Sequence, residues 1–169
     1  MNRVTSIYLA AWLLIVGLLS VAPVAAQAPS APAAQAPAAP VPQALTYEMA
    51  LQVMDAAEAE ARKNKWNVTI IVTDAAGVPV VLRRLTGASP RSYDIATRKA
   101  ATVVATKLTT AVYGEQLKAG SVKEVPNGIT FAGGVPIMRG TEFIGAVGTS
   151  GVRAIEDEQI SKAGADVIK

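Results

Sequence analysis

A proline- and alanine-rich segment at residues 27–43 limits what this chain can fold into, because it separates an apolar N-terminus from the part able to build a core. The segment holds seven Ala, five Pro and no charged side chain. Proline fixes φ and removes a backbone donor, and no side chain here is bulky enough to form a core. We therefore expect a semi-stiff, partly extended linker at 27–43.

The residues before the linker have the layout of a secretory signal peptide. Arg3 precedes an uncharged run from Ile7 to Val21, and small residues follow up to Ala26. This pattern predicts a signal peptide over residues 1–26 and a periplasmic or secreted protein. The alternative is an uncleaved membrane anchor, because roughly 18 apolar residues can span a bilayer.

Residues 44–169 are enough for one domain and too few for two. Thr46 is a predicted N-cap for a first helix, and residues 68–73 are a β-branched strand buried on both faces. Asp74 to Gly77 forms a turn into a second strand at 78–82. Ser89 and Pro90 then begin a second helix.

The rest of the domain continues the same alternation of helices and hairpins. A third helix is predicted from about Thr110 to Lys118, then strands at 129–132, 135–138 and 143–149, and a closing helix. Hairpin connections favour antiparallel pairing. The predicted fold is α+β, with a mostly antiparallel sheet flanked by helices.

The chain contains no His and no Cys, which excludes several kinds of chemistry. Disulfides, Cys or His zinc sites, thiol nucleophiles and serine–histidine triads are impossible. The net charge is only +3, and acids are interspersed among the basic residues. We therefore expect no nucleic-acid partner.

Glycines and basic residues supply the candidate sites, and each has a plainer structural explanation. Gly133 and Gly134 form a tight corner, which also allows a ligand to approach the backbone closely. Five cations at 83, 84, 91, 98 and 99 are either a solvated face or a binding site for a small anion. Lys99 lies beside the apolar stripe of its helix and is either partly buried or a nucleophile of lowered pKa.

Two further motifs are explained by local structure. Gly145, Gly148 and Gly151 do not have the dinucleotide-binding spacing, and the chain after them is too short for a βαβ unit. The three acids at 156–158 suit the start of a helix. No catalytic residue is predicted.

Several stretches, taken together, resemble the GlcG/HbpS-like haem-binding family, which is related to the C-terminal domain of some corrinoid adenosyltransferases. They are Val72 to Gly77, Arg84 to Ala88, Ser92 to Thr102, Gly133 to Ile137 and Ile144 to Gly151, followed by Asp157-Glu158 and Ala163-Gly164. The resemblance implies a profilin- or PAS-like fold and a homo-oligomer, often an octamer. One departure is Thr86, where the family commonly has Asp.

The resemblance, together with the predicted signal peptide, implies an exported protein that binds b-type haem, or another tetrapyrrole, without a covalent bond, and sequesters or relays it. It also allows weak haem degradation and a membrane sensor partner. The alternatives are an enzyme acting on a small hydroxy or keto acid held near Arg84 and Lys99, or a corrinoid-binding or sensory scaffold module.

The same resemblance guides the choice of haem-binding residues. Without His, an axial ligand would come from Thr110, Tyr113, Met49 or Met54, and Thr110 is the first choice. The plainer explanation of Thr110 is a helix N-cap. The predicted cofactor-binding set is Thr110, Arg84, Lys99, Thr102, Tyr113, Gly133 and Gly134.

Overall fold

The computed structural model describes residues 44–168, so the predictions for residues 1–43 lie outside it. Within this range there are four helices and four strands: α1 (Tyr47–Lys63), β1 (Thr69–Asp74), β2 (Pro79–Arg84), α2 (Arg91–Thr106), α3 (Thr110–Lys118), β3 (Gly134–Arg139), β4 (Glu142–Ser150) and α4 (Ala154–Ala165). None of the helices at 44–168 has the length and apolar character needed to cross a membrane.

The four strands form one antiparallel sheet in the order β2-β1-β4-β3. The β1–β2 turn is fixed by Asp74, whose Oδ1 accepts the N–H groups of Ala76 and Val78, both at 2.9 Å. Strand β1 is buried on both faces, as predicted. The predicted α+β class, with an antiparallel sheet flanked by helices, is confirmed.

Helices cover both faces of the sheet. Ile70 and Val72 of β1 pack with α1 and α4 in the larger core cluster, whereas Ile71 packs with α2. Thr46 caps α1 as predicted, because its Oγ1 accepts the N–H of Met49 at 3.2 Å. This three-layer arrangement leaves β2 and β3 as the two edges of the described sheet.

Helix α2 lies unusually close to the sheet. A Cβ on Gly148 of β4 would clash with the carbonyl oxygen of Ala96 and crowd Ala100. Glycine on the strand and alanines on the helix therefore let the two backbones approach. The close approach places Lys99, on the same helix, against the ends of β3 and β4.

Two sequence-based predictions need correction. Residues 129–132 do not form a strand, because this stretch packs against α2 and α3, and the N–H of Ile129 is bound by the hydroxyl of Thr102 at 2.9 Å. The hydrogen-bonded turns of α2 begin at Arg91, one residue later than Pro90. The Oγ of Ser89 still accepts the Arg91 N–H at 3.3 Å, as a capping group does.

Candidate functional site

The corner at Gly133 and Gly134 lies where α2, α3, α4 and the sheet meet. Gly133 has φ +124°, and its carbonyl accepts the N–H of Thr149 and the hydroxyl of Ser161, both at 2.9 Å. The Ser161 Oγ also lies 2.8 Å from the Oγ1 of Thr149. The corner is therefore fastened to both β4 and α4.

Beneath this corner is a buried ion pair between Lys99 and Asp157. The Nζ of Lys99 donates to Asp157 Oδ2 at 2.7 Å and to the carbonyl of Thr149 at 2.8 Å. The centroid of the Phe131 ring lies 5.1 Å from the same Nζ. Lys99 is completely buried, further than the partial burial considered from the sequence.

Burial acts on both partners of this pair. It lowers the pKa of Lys99 and raises the pKa of Asp157, because desolvation penalises each charged form, while the attraction between the two charges opposes both shifts. A Cβ at Gly133 would overlap the Lys99 Nζ. The amine is therefore closed off in the described structure and is not presented as a nucleophile.

Three hydroxyl groups of the predicted set fasten the segment between α3 and β3. Thr110 Oγ1 accepts the N–H of Gly134 at 3.0 Å, and the Tyr113 hydroxyl accepts the N–H of Val125 at 2.8 Å. Thr102 Oγ1 accepts from Ile129, as described above, and donates to the carbonyl of Arg98 at 2.8 Å. All three residues are buried.

The N-cap explanation of Thr110 is wrong. The cap of α3 is the preceding residue, Thr109, whose side chain accepts the N–H of Val112 at 3.2 Å. Thr110 instead points inward, to the backbone of Gly134. The helix bounds themselves agree with the sequence-based prediction.

Arg84 does not join the other predicted residues. It lies on β2, at the edge of the sheet opposite β3, and its guanidinium donates to the carbonyl of Ala88. Arg83 faces the other side and pairs with Asp55 and Glu58 of α1. The five cations therefore do not form one site, because Arg83 pairs with α1 on one face of the sheet and Lys99 is engaged by Asp157.

The two methionines considered as iron ligands lie on α1, away from the corner. Met54 is completely buried in the core, and Met49 accepts a hydrogen bond from Arg139 through its Sδ at 2.8 Å. Met54 therefore has no exposed surface, and the Met49 sulfur is already engaged by Arg139.

An open cleft of about 410 Å³ adjoins the segment after α3. We call it the 105–126 cleft. Val125, which forms part of its wall, is the residue held by Tyr113. Most of its lining is apolar, and Lys123 and Glu124 supply the charges; the lining residues are Ala105, Thr106, Leu108, Val122, Lys123, Glu124, Val125 and Pro126.

Sequence reasoning missed the acidic and hydroxyl partners of the corner. Asp157 was explained by its position in the first turn of α4, which does not account for its bond to Lys99. Thr149 and Ser161 carry no sequence signal of their own. A useful signal was the apolar setting of Lys99 on α2, because a buried cation requires a buried acid.

Fold and corner together define a small α+β domain, with an antiparallel sheet between helical layers, an apolar cleft and a closed ion pair. A family model described as haem degrading protein HbpS-like matches residues 45–166. The chain belongs to this HbpS-like family, as its resemblance predicted.

Similar proteins agree with this assignment. The protein GlcG of Escherichia coli K12 is 35% identical over 108 residues, which are 63% of this chain and 81% of that protein. The crystal structure of HbpS shows 32% identity and a TM-score of 0.72, covering 81% of this chain and 99% of that one. The PduOC:heme complex shows 27% identity and a TM-score of 0.63, covering 75% and 96%.

The ion pair generates a stability prediction. Lys99→Met is expected to lower the free energy of unfolding by about 3–5 kcal/mol, because it leaves Asp157 buried without its partner. The double variant Lys99→Met/Asp157→Asn removes both charges and keeps an oxygen for the Val152 N–H. We expect it to be more stable than the single variant in urea unfolding.

Lys162→Met is the matched control, because Lys162 is half-exposed in its pair with Glu158 and should contribute less than about 1 kcal/mol. A Lys99→Met protein as stable as the parent, or a double variant no better than the single one, would contradict the buried pair.

Proposed function

We propose that this protein binds haem in the 105–126 cleft and sequesters or relays it. Membership of a family described as haem-degrading, over nearly the whole described domain, carries the proposal. The similarity to a protein crystallised as a heme complex supports it. A membrane sensor that receives the haem signal is part of the same proposal.

The cleft suits the porphyrin ring and its carboxylates. Its volume lies within the range of known ligand pockets, and Leu108, Val122 and Val125 offer apolar surface. Lys123 is placed to pair with a propionate. With no Cys in the chain, thioether attachment is impossible. We propose a b-type haem held without a covalent bond.

The structure offers a weaker candidate for the iron ligand than for the surfaces that would hold the porphyrin ring. Thr110 remains the proposed ligand, but it lies beside the 105–126 cleft in sequence without lining it, and its buried hydroxyl holds the Gly134 N–H in this structure. Ligation would require this hydrogen bond to break. A neutral hydroxyl is a weak ligand, so we propose that apolar contacts and propionate pairing hold the haem, and that it exchanges readily.

Any degradation would be chemistry that haem supplies when bound, with peroxide as co-substrate. The protein's own residues would hold the ring and limit access of water to one side of it. We propose that such turnover is incidental to binding.

Haem binding is tested by titrating the full-length chain and following the Soret band. We expect a saturable change at one haem per chain. Val122→Glu should weaken binding about tenfold or more, because it buries a carboxylate against the ring. Val167→Glu, at an exposed position outside the cleft, is the control and should bind normally.

Thr110→Ala tests whether the Thr110 hydroxyl binds the haem iron or only holds the backbone of Gly134. A shifted Soret maximum in the variant would indicate that the hydroxyl reaches the iron, whereas an unchanged maximum would place the ligand elsewhere. Absence of saturable binding by the parent protein would overturn the haem proposal.

We further propose that residues 1–26 direct export and that residues 27–43 tether the domain outside the cytoplasm. Support comes from the basic start, the uncharged run and the small residues up to Ala26. In a bacterial host, the chain recovered outside the cytoplasm is expected to begin at Gln27 by mass spectrometry. An intact N-terminus on membrane-bound protein would favour the anchor, and exclusively cytoplasmic protein would reject both.

Self-association, with an octamer as the proposed state, has a candidate surface at β2. Helix α2 packs against the other three strands and leaves this edge strand largely uncovered on that face, whereas α1 packs against its other face. Leu82 lies opposite Ile71, on the face of the sheet that α2 packs against, and is 41% exposed; Val78 before the strand is 57% exposed. Apolar surface on an edge strand favours association.

Light scattering after size-exclusion chromatography tests this surface. Leu82→Arg is expected to reduce the mass of the assembly, because it places a charge in the contact. Ile155→Arg, on the exposed face of α4, should leave the mass unchanged. A monomeric parent protein, or an assembly indifferent to Leu82→Arg, would contradict the proposal.

A further inference from the structure

The turn that follows the 105–126 cleft contains Asn127-Gly128, the single Asn-Gly pair in the chain. We propose that Asn127 is a site of spontaneous deamidation, at which Arg98 activates the peptide nitrogen that attacks the side-chain amide. Asn2, Asn64 and Asn67 are followed by Arg, Lys and Val, whose side chains shield the next backbone nitrogen more than glycine does.

The turn presents the Asn127 side chain to solvent. The Gly128 N–H donates to the carbonyl of Val125 at 2.8 Å, and Asn127 between them has φ +58°. A positive φ at the third position of a turn that has Pro126 at the second favours Asn or Gly. Asn127 is exposed, and within residues 44–168 its side-chain amide has no hydrogen-bond partner that would hold it away from its own backbone.

The reaction needs no group from outside the chain except water. The Gly128 nitrogen gives up its proton and attacks Cγ of Asn127, the Cγ–Nδ2 bond breaks, and ammonia leaves with the proton. The product is a five-membered succinimide ring. Water then opens the ring at either carbonyl, which gives aspartate or isoaspartate at this position.

Arg98 binds the same peptide group whose nitrogen attacks. Its Nε donates to the carbonyl oxygen of Asn127 at 3.0 Å, and that oxygen and the Gly128 nitrogen belong to one amide. The other end of the guanidinium is oriented by Asp94, whose Oδ2 lies 3.7 Å from Nη1. The nitrogen attacks as an anion that shares its charge with the carbonyl oxygen, so a cation on that oxygen stabilises the attacking form.

The reaction also requires a small opening of the turn, because the Gly128 N–H must leave the carbonyl of Val125. Side-chain hydroxyls hold the backbone on either side, from Tyr113 to Val125 and from Thr102 to Ile129. Such isolated contacts open more easily than a strand ladder. The Arg98 contact is made to the carbonyl oxygen and need not break when the nitrogen turns toward the side chain.

The modification would change the rim of the 105–126 cleft. Val125 and Pro126, which precede Asn127 in the turn, line the cleft, as does Lys123. Aspartate adds a negative charge near a cation proposed to pair with a propionate, and isoaspartate lengthens the backbone by a methylene group. This consequence rests on the proposed haem binding, whereas the deamidation itself does not.

The test is to age the full-length chain at mildly alkaline pH and to follow the masses of two tryptic peptides. Residues 124–139 contain Asn127 as their only side-chain amide, and residues 66–83 contain the exposed Asn67, which precedes Val68. We expect the exchange of an amide NH₂ for a hydroxyl to be about tenfold faster or more at Asn127, because a β-branched neighbour hinders the attack and glycine does not.

Arg98 is tested in the same assay. Arg98→Met should slow the reaction at Asn127 about three- to tenfold, because it removes the charged hydrogen bond to the attacking peptide. Arg98→Lys keeps a cation and should recover part of the rate. Arg91→Met, at an exposed arginine on the same helix, is the matched control and should react like the parent protein.

The same comparison in urea separates activation from the Asn-Gly sequence alone. The unfolded parent and Arg98→Met proteins should react at equal rates, because unfolding removes the Arg98 contact. If Arg98 only held the turn closed, Arg98→Met would accelerate the reaction of the folded protein. That result, an unchanged rate in Arg98→Met, or equal rates at Asn127 and Asn67, would overturn the proposal.

Haem titration of fresh and aged protein tests the consequence for the cleft. The aged parent should bind haem about twofold or more weakly, because the added charge lies within a Debye length of the proposed propionate contact. Asn127→Gly keeps a residue suited to positive φ, cannot deamidate, and should lose no affinity on ageing. Equal losses in both proteins would contradict the link to the cleft, while the peptide masses decide the modification itself.

Discussion

The buried contact between Lys99 and Asp157 is the interaction on which the arrangement of this domain depends. It joins α2 to α4 around the end of the sheet, and the same ammonium group also binds the carbonyl of Thr149 on β4. Burying two charges is costly, and only full hydrogen bonding makes it tolerable. Geometry at the corner must therefore be exact enough to satisfy the amine, and Gly133 is required there because any larger residue would displace it.

Close backbone approach follows from the same requirement. Lys99 reaches Asp157 because α2 lies almost on β4, and it lies there because Gly148 has no side chain. Alanines on the helix complete the contact. Small residues on α2 and β4 thus set the backbone spacing that brings Lys99 within reach of Asp157, although none of them carries a polar side chain.

Much of the fold could be predicted from the sequence, because helix caps, strands and helices are indicated by residues close together in the chain. The cap at Thr46, the strand at 68–73 and the helix from Thr110 to Lys118 depend on neighbouring residues. The ion pair could not be predicted in this way, because Lys99 and Asp157 are 58 positions apart in the sequence. The residues around each of them do not indicate its partner. The strand predicted at 129–132 was wrong for a related reason. Its apolar residues suit a strand, but the hydroxyl of Thr102 binds the Ile129 N–H that a neighbouring strand would have bound.

The segment between α3 and β3 is attached by side chains in place of a ladder of strand pairing: three hydroxyls, and the guanidinium of Arg98, which donates to the carbonyl of Asn127 at 3.0 Å. Tyr113, Thr102 and Thr110 each hold a single backbone N–H, at Val125, Ile129 and Gly134. A ladder opens cooperatively, whereas isolated attachments release one at a time at the cost of about one hydrogen bond each. The part of the 105–126 cleft wall around Val125 is thus held by a side-chain hydroxyl and not by strand pairing. We expect it to open at a lower free-energy cost than the sheet does.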